Sequence, residues 1–147
     1  MNQAEAITLL QDLSRAGVYR WPRKGLADLL AGAEKNGFAV CRISLAEVRD
    51  KADFMKRLAT RLHFPDWFGH NWDALADCLS DLSWLPAQGY LLMLEGAEGF
   101  RDRHPAEFST ALAVFADAAD AWRDAGLPFW VLVDAGAESL ATPPGSA

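Results

Sequence analysis

The run Tyr90-Leu91-Leu92-Met93-Leu94, opened by Gly89 and closed by Glu95, most constrains what this chain can fold into. It is short, continuous and apolar, with no alternation of apolar and polar residues. Runs of this kind suit a strand covered on both faces, the situation of strands in parallel sheets. Phe129–Val133 is a second buried strand of the same type, and residues 38–43 form a third strand. Between the strands the apolar period changes to that of helices. Asp50 caps a helix reaching to about residue 62, with Phe54, Leu58 and Leu62 as its buried stripe. Over residues 105–125, Phe108, Leu112, Phe115, Ala119 and Trp122 recur at steps of four and three, and Gly126 closes the helix. Strand, helices, strand, helix, strand predicts an α/β fold with a small three-stranded parallel sheet packed with helices.

Before the first strand, Asn2-x-x-Glu5 has the form of a capping box. Ile7, Leu10 and Leu13 give that helix an apolar face, and a second short helix spans 25–36. Residues 1–37 are too short to hold a core of their own, so they are expected as a helical extension of the same domain. Residues 38–134 form the main body, and residues 135–147, rich in Ala, Gly and Pro, form a flexible tail.

The chain has 147 residues and a net charge of −6, which suits one domain and disfavours direct nucleic-acid binding or attraction to an anionic membrane. No apolar run approaches the roughly 20 residues of a membrane span, and Met-Asn-Gln-Ala-Glu lacks the form of a secretory signal, so a cytoplasmic protein is expected. Cys41 and Cys78 read as free thiols in apolar settings.

The acidic residues are unevenly placed. From Leu62 to Phe100 there is no lysine or arginine, while Asp66, Asp73, Asp77, Asp81, Glu95 and Glu98 all fall there. Asn71 is a good cap for a helix over 72–82, preceded by the aromatic turn Pro65-Asp66-Trp67-Phe68-Gly69, where Gly69 permits a tight reversal. At about 100° per residue from Trp72, Leu75, Cys78, Leu79 and Leu82 cluster near roughly 290° and Asp73, Asp77 and Asp81 near roughly 140°. Ala76 and Ser80 lie beside the aspartates and do not guard them. Like charges four apart destabilise a helix, and a basic residue placed among them would have relieved the repulsion. A solvated helix face explains many such stripes. Tryptophans at the edge of a carboxylate patch, however, have the composition of a protein-binding site for Arg or Lys groups.

The segment Pro65-Asp66-Trp67-Phe68-Gly69-His70-Asn71-Trp72-Asp73-Ala74-Leu75-Ala76-Asp77-Cys78-Leu79 resembles the barstar family of ribonuclease inhibitors. The resemblance runs from about Phe38 to Asp134 and is specific in this turn and helix. It implies a three-stranded parallel sheet and an inhibitor, monomeric when free, that plugs a basic, barnase-like ribonuclease. It further implies that Asp73 and Asp77 carry the main contacts, with Asp77 aimed at the phosphate pocket. Trp67 is implied to pack on the enzyme's catalytic histidine, Gly69 and Asn71 to shape the loop, and Asp117 to make an outlying contact. The chain departs from the pattern at Ala76, where the family has an aromatic, at Trp72, where an aliphatic is usual, and at Asp81, where a small residue is usual. Trp72, Ala76, Ser80 and Asp81 thus complete the expected partner-binding set, and the departures bear on which target is bound.

No cofactor or metal is expected. His63 and His70 lie near the acids, but Asp at steps of four lacks the His-containing spacing of helix-borne metal sites. A hydrolase using Asp73 and Asp77 as acid and base would need unequal environments, which one exposed helix face does not offer. Two other readings keep the fold: an immunity protein against a different basic toxin, and a domain whose amino-terminal helices make the contact. Deletion of residues 1–37 is expected to separate the last from the rest.

Overall fold

The computed structural model describes residues 1–22, 24–134 and 140–145. The order is α1 (Gln3–Gln11), β1 (Val18–Arg20), α2 (Leu26–Lys35), β2 (Phe38–Ser44), α3 (Lys51–Arg61), α4 (Trp72–Asp81), β3 (Gly89–Glu95), α5 (Glu98–Arg103), α6 (Pro105–Asp124) and β4 (Phe129–Val133). The apolar runs pair in parallel, and the sheet order is β1-β4-β3-β2.

The sheet has four strands, which corrects the three expected. β1 pairs Val18 with Val131 and Arg20 with Val133. It is three half-buried residues at the sheet edge, so it presents neither a continuous apolar run nor an alternation to read. The helix α5, between β3 and α6, is also short, at six residues.

Both faces of the sheet are covered, as the run at 90–94 requires. Tyr90, Leu92, Leu94, Phe129, Val131 and Val133 join a core with residues of α3, α4, α5 and α6. Leu91, Met93, Trp130 and Leu132 point the other way, into a second core with Ala6, Leu9, Leu10, Leu29 and Ala33 of α1 and α2. The amino-terminal segment is therefore the outer layer of an α/β/α stack. The indole of Trp130 donates to Leu10 O at 3.0 Å, and Tyr19 stacks on its ring at 5.4 Å. Arg123, near the end of α6, reaches across to donate to Leu13 O at 2.9 Å. Removing residues 1–37 would expose one whole sheet face, so that deletion does not isolate a contact surface.

Local chemistry sets the element ends. Asn2 Oδ1 accepts from Glu5 N at 2.8 Å and Asp50 Oδ1 from Asp53 N at 2.9 Å, each satisfying a free amide of a first turn. Phe38 lies directly across from Gly89 in the β2–β3 register, and a Cβ on Gly89 would stand 2.6 Å from the Phe38 ring, so any larger residue there requires the ring to move. Part of the stretch read as a flexible tail is anchored: Ala141 O accepts from Arg20 N at 2.7 Å, Leu140 packs on the core and Pro143 is buried. Residues 135–139 and 146–147, also read as tail, lie outside the described residues. Among the described residues no helix is long and apolar enough to cross a membrane.

Candidate functional site

α4 is cut to its length by both of its ends. Asn71 is extended (φ −132°, ψ 171°), and its side-chain oxygen accepts from Ala74 N at 2.8 Å. The same side chain donates from Nδ2 to Gly69 O at 3.3 Å, which ties the cap to the turn before it. At the other end Leu82, fully buried, adopts a left-handed conformation (φ 49°) and its amide donates back to Cys78 O.

The reversal into α4 is not made by Gly69, as the sequence suggests, but by His70 at φ 53°. Gly69 has no positive φ; its role is clearance, because a Cβ there would stand 3.2 Å from Asn71 Nδ2. His63, just beyond α3, is a second left-handed residue at φ 55°. Such a conformation costs a residue with a Cβ about 1–2 kcal/mol. Three of these, at 63, 70 and 82, bracket the turn and α4, so surrounding packing must hold them there.

That packing is aromatic. Phe68 is buried between Phe64, at 4.9 Å, and His70, at 4.7 Å. Trp84 meets Phe64 edge-on at 6.1 Å, and its indole donates to Leu62 O at 2.9 Å, satisfying a carbonyl at the end of α3. Trp122 of α6 does the same for Leu79 O of α4, at 2.7 Å. Two tryptophan N–H groups thus fix α4 and its entry turn against their neighbours.

On this scaffold α4 splits as its sequence implies. Leu75, Cys78 and Leu79 are buried; Asp73, Asp77, Ser80 and Asp81 are exposed; Ala76 is half-buried. None of the ion pairs or side-chain hydrogen bonds among the described residues engages Asp73, Asp77 or Asp81. The acids therefore face solvent without an internal countercharge. Their field is felt inside: burial first, then Asp77 and Asp81, push the Cys78 thiol above its ordinary range. The Tyr90 phenol is raised in the same way, by burial and then by Asp81.

Trp67 is 63 % exposed, an unusual placement for so large an apolar side chain, and rests edge-on against Trp84 at 6.4 Å. Trp72 differs. It is half-buried, packs on Phe54 at 6.0 Å and carries the Lys51 ammonium over its ring at 5.6 Å. It staples α4 to the start of α3, and Lys51 occupies a face of the ring. Asp117 is exposed on α6, the helix that Trp122 bonds to α4, but among the described residues no hydrogen bond joins it to the α4 acids. Glu95 pairs with Arg42 across the β2–β3 edge. Among the described residues no three His, Cys, Asp or Glu side chains form a group able to hold a metal ion.

A basic flank beside this site goes unnoticed in the sequence. Arg49, Lys56, Arg57 and Arg61 line a depression of about 480 Å³ along α3, together with Glu47, Asp53 and Thr60. The absence of basic residues after Leu62 is easy to see; their crowding just before it, at 42, 49, 51, 56, 57 and 61, is the signal that would have found the flank.

Comparison with curated proteins gives no match. Residues 38–134, about two thirds of the chain, match the model of a protein family described as Barstar (barnase inhibitor). The match spans β2 to β4 and takes in the aromatic turn, α4 and Asp117, while α1, β1 and α2 lie outside it. On that match, together with the parallel sheet and the capped acidic helix behind an aromatic turn, the chain belongs to the barstar family of barnase inhibitors.

Proposed function

We propose that this protein inhibits a basic ribonuclease by placing α4 and the turn before it in the enzyme's active-site cleft. The observation that carries the proposal is the row Asp73, Asp77 and Asp81, exposed and free of internal countercharge, beside the exposed Trp67. A cleft that binds an RNA backbone presents cations spaced for phosphates, and carboxylates held on a rigid helix are ready acceptors for the same donors. Pre-ordering matters because little conformational entropy is then lost on docking. The capped helix and two indole hydrogen bonds supply that order.

In this arrangement Asp77 takes the phosphate pocket, Asp73 pairs with the cationic wall, and Trp67 covers the catalytic imidazole. Gly69 and Asn71 hold the loop, while Ser80 and Asp81 lie at the rim and Asp117 outside it. Large aromatic and charged anchors dominate such interfaces, a rule for which barstar itself is among the source systems. The protein needs no cofactor, performs no chemistry and is a monomer when free, in the cytoplasm of the producing cell. Ala76 and Asp81 favour one variation on this theme, a different basic toxin as target on the same fold, since both alter the face that meets the partner.

The test is inhibition of RNA cleavage across a panel of small basic microbial ribonucleases. Wild type is expected to abolish cleavage by at least one, and Asp77→Ala to weaken this most. Unchanged cleavage throughout the panel would count against ribonuclease inhibition, and equal inhibition by Asp73→Ala/Asp77→Ala would remove α4 from the contact.

A further inference from the structure

We infer that the basic depression along α3 is the second half of the partner-binding surface, made for a patch of carboxylates on the rim of the same partner. The inference rests on the proposed use of α4 and adds a specificity element to it. A second depression, lined by Lys56, Thr60, Phe64, Pro65, Asp66 and His70 among others, shares Lys56 and Thr60 with the first. The surface therefore runs from the α3 cations to the turn that carries Trp67, as far as His70. A partner seated on that turn therefore lies beside the α3 flank.

Two of the four cations there have no ion pair or hydrogen bond among the described residues. Arg49 is taken by Asp53 at 2.8 Å, and Arg61 Nε by the Arg42 carbonyl at 2.9 Å. Lys56 and Arg57 make no ion pair or hydrogen bond among the described residues. Arg57 and Arg61 stand four apart on one helix, an arrangement that repels, as the aspartates of α4 do. Glu47 and Asp53 in the same depression offset part of this charge, and the four cations there still outnumber them, so α3 presents an excess of positive charge beside the unpaired acids of α4. A partner that were basic throughout would be repelled by Lys56 and Arg57. A partner with a basic cleft and an acidic rim is attracted by both faces, and only in one orientation.

The sign of this effect can be measured. Association with a ribonuclease that wild type inhibits is followed by stopped flow at low ionic strength for Lys56→Glu/Arg57→Glu. The control is Lys24→Glu/Lys35→Glu, which changes the net charge equally on the α2 side of the sheet. The α3 variant is expected to associate about tenfold more slowly than the control, at the lower end of electrostatic steering effects. The difference should close in about 1 M salt, where the Debye length is about 3 Å. Lys56→Gln/Arg57→Gln is expected to fall between, and guards against a folding defect in the reversed pair. Equal or faster association of the α3 variants overturns the inference while leaving inhibition by α4 standing. If wild type inhibits no ribonuclease, or Asp73→Ala/Asp77→Ala inhibits as well as wild type, the proposed use of α4 fails and this inference with it.

Discussion

Neutralising the α4 acids one at a time is expected to affect stability in a fixed order, with Asp81→Asn gaining most, Asp77→Asn next and Asp73→Asn nothing or a small loss. The order follows from position. The helix has Asp73 in its first turn, no basic residue in its last turn, and no cation from elsewhere paired with its acids. Each pair of like charges four apart costs about 0.2–0.5 kcal/mol. Asp77 belongs to two such pairs, so its neutralisation gains about 0.4–1 kcal/mol. Asp81 belongs to one pair but stands at the negative end of the helix dipole, which adds about 0.3–1 kcal/mol, for a gain of about 0.5–1.5 kcal/mol. Asp73 also belongs to one pair, yet the dipole favours it by about as much as that pair repels it. Asn and Asp have similar helix propensities, so the substitution isolates charge. Urea unfolding at pH 7 and low salt measures the differences, and at this chain length each kcal/mol moves the Tm by about 3–4 °C. Repeating the series in about 1 M salt is expected to shrink the gains. A destabilising Asp81→Asn, or gains unchanged by salt, would show that these carboxylates hold structural bonds and refute the account of an unsatisfied acidic face. Under the proposed function the same Asp77→Asn protein is more stable and a poorer inhibitor, as expected where a binding site is kept at the expense of stability.

Four other outcomes are expected. Gly89→Ala forces a Cβ within 2.6 Å of the Phe38 ring and is expected to cost about 1–3 kcal/mol in denaturant unfolding, partly recovered by adding Phe38→Leu; wild-type stability of the single variant would contradict the close approach. Trp84→Phe removes the donor to Leu62 O, with an expected loss of about 1–3 kcal/mol and faster amide exchange over 62–70, and unchanged exchange would show that the indole does not hold the turn. Deleting residues 1–37 uncovers Leu91, Met93, Trp130 and Leu132 and is expected to give a dye-binding, loosely packed chain, whereas cooperative unfolding of the truncated protein would show the outer layer to be dispensable. The Asp53 carboxyl, held below its ordinary 3.8 mainly by the Arg49 side chain, is expected by NMR titration to move up in Arg49→Gln. Because its folded pKa is lowered, the stability it contributes is present above the unfolded carboxyl range and is lost as pH falls through the lowered value; a midpoint unmoved in Arg49→Gln would sink this.

The acidic face could be read without coordinates because its causes are local. The cap Asn71, the apolar stripe at 75, 78, 79 and 82 and the aspartates four apart are all fixed by neighbours within a few turns of chain. Where a feature depends on a distant segment, the sequence is silent or misleading. β1 is a strand only because β4 offers it backbone partners more than a hundred residues away. Gly69 draws attention as the flexible residue of the turn, yet packing of the His70 ring on Phe68 places the left-handed conformation one residue later. Trp72, a candidate contact by its place in the motif, also packs on Phe54 and Lys51 of α3, which its own segment does not foretell.

By itself, then, the sequence determined which segments are buried on two sides, where α4 begins, and that its outward face is acidic, since periodicity and capping act over one or two helical turns. Only the tertiary structure decided that the amino-terminal helices close the second face of the sheet and that the cations of α3 leave the aspartates of α4 unpaired. It also decided that the α3 flank adjoins the aromatic turn before α4. Those are relations between segments far apart in the chain, set by how the helices pack on the sheet.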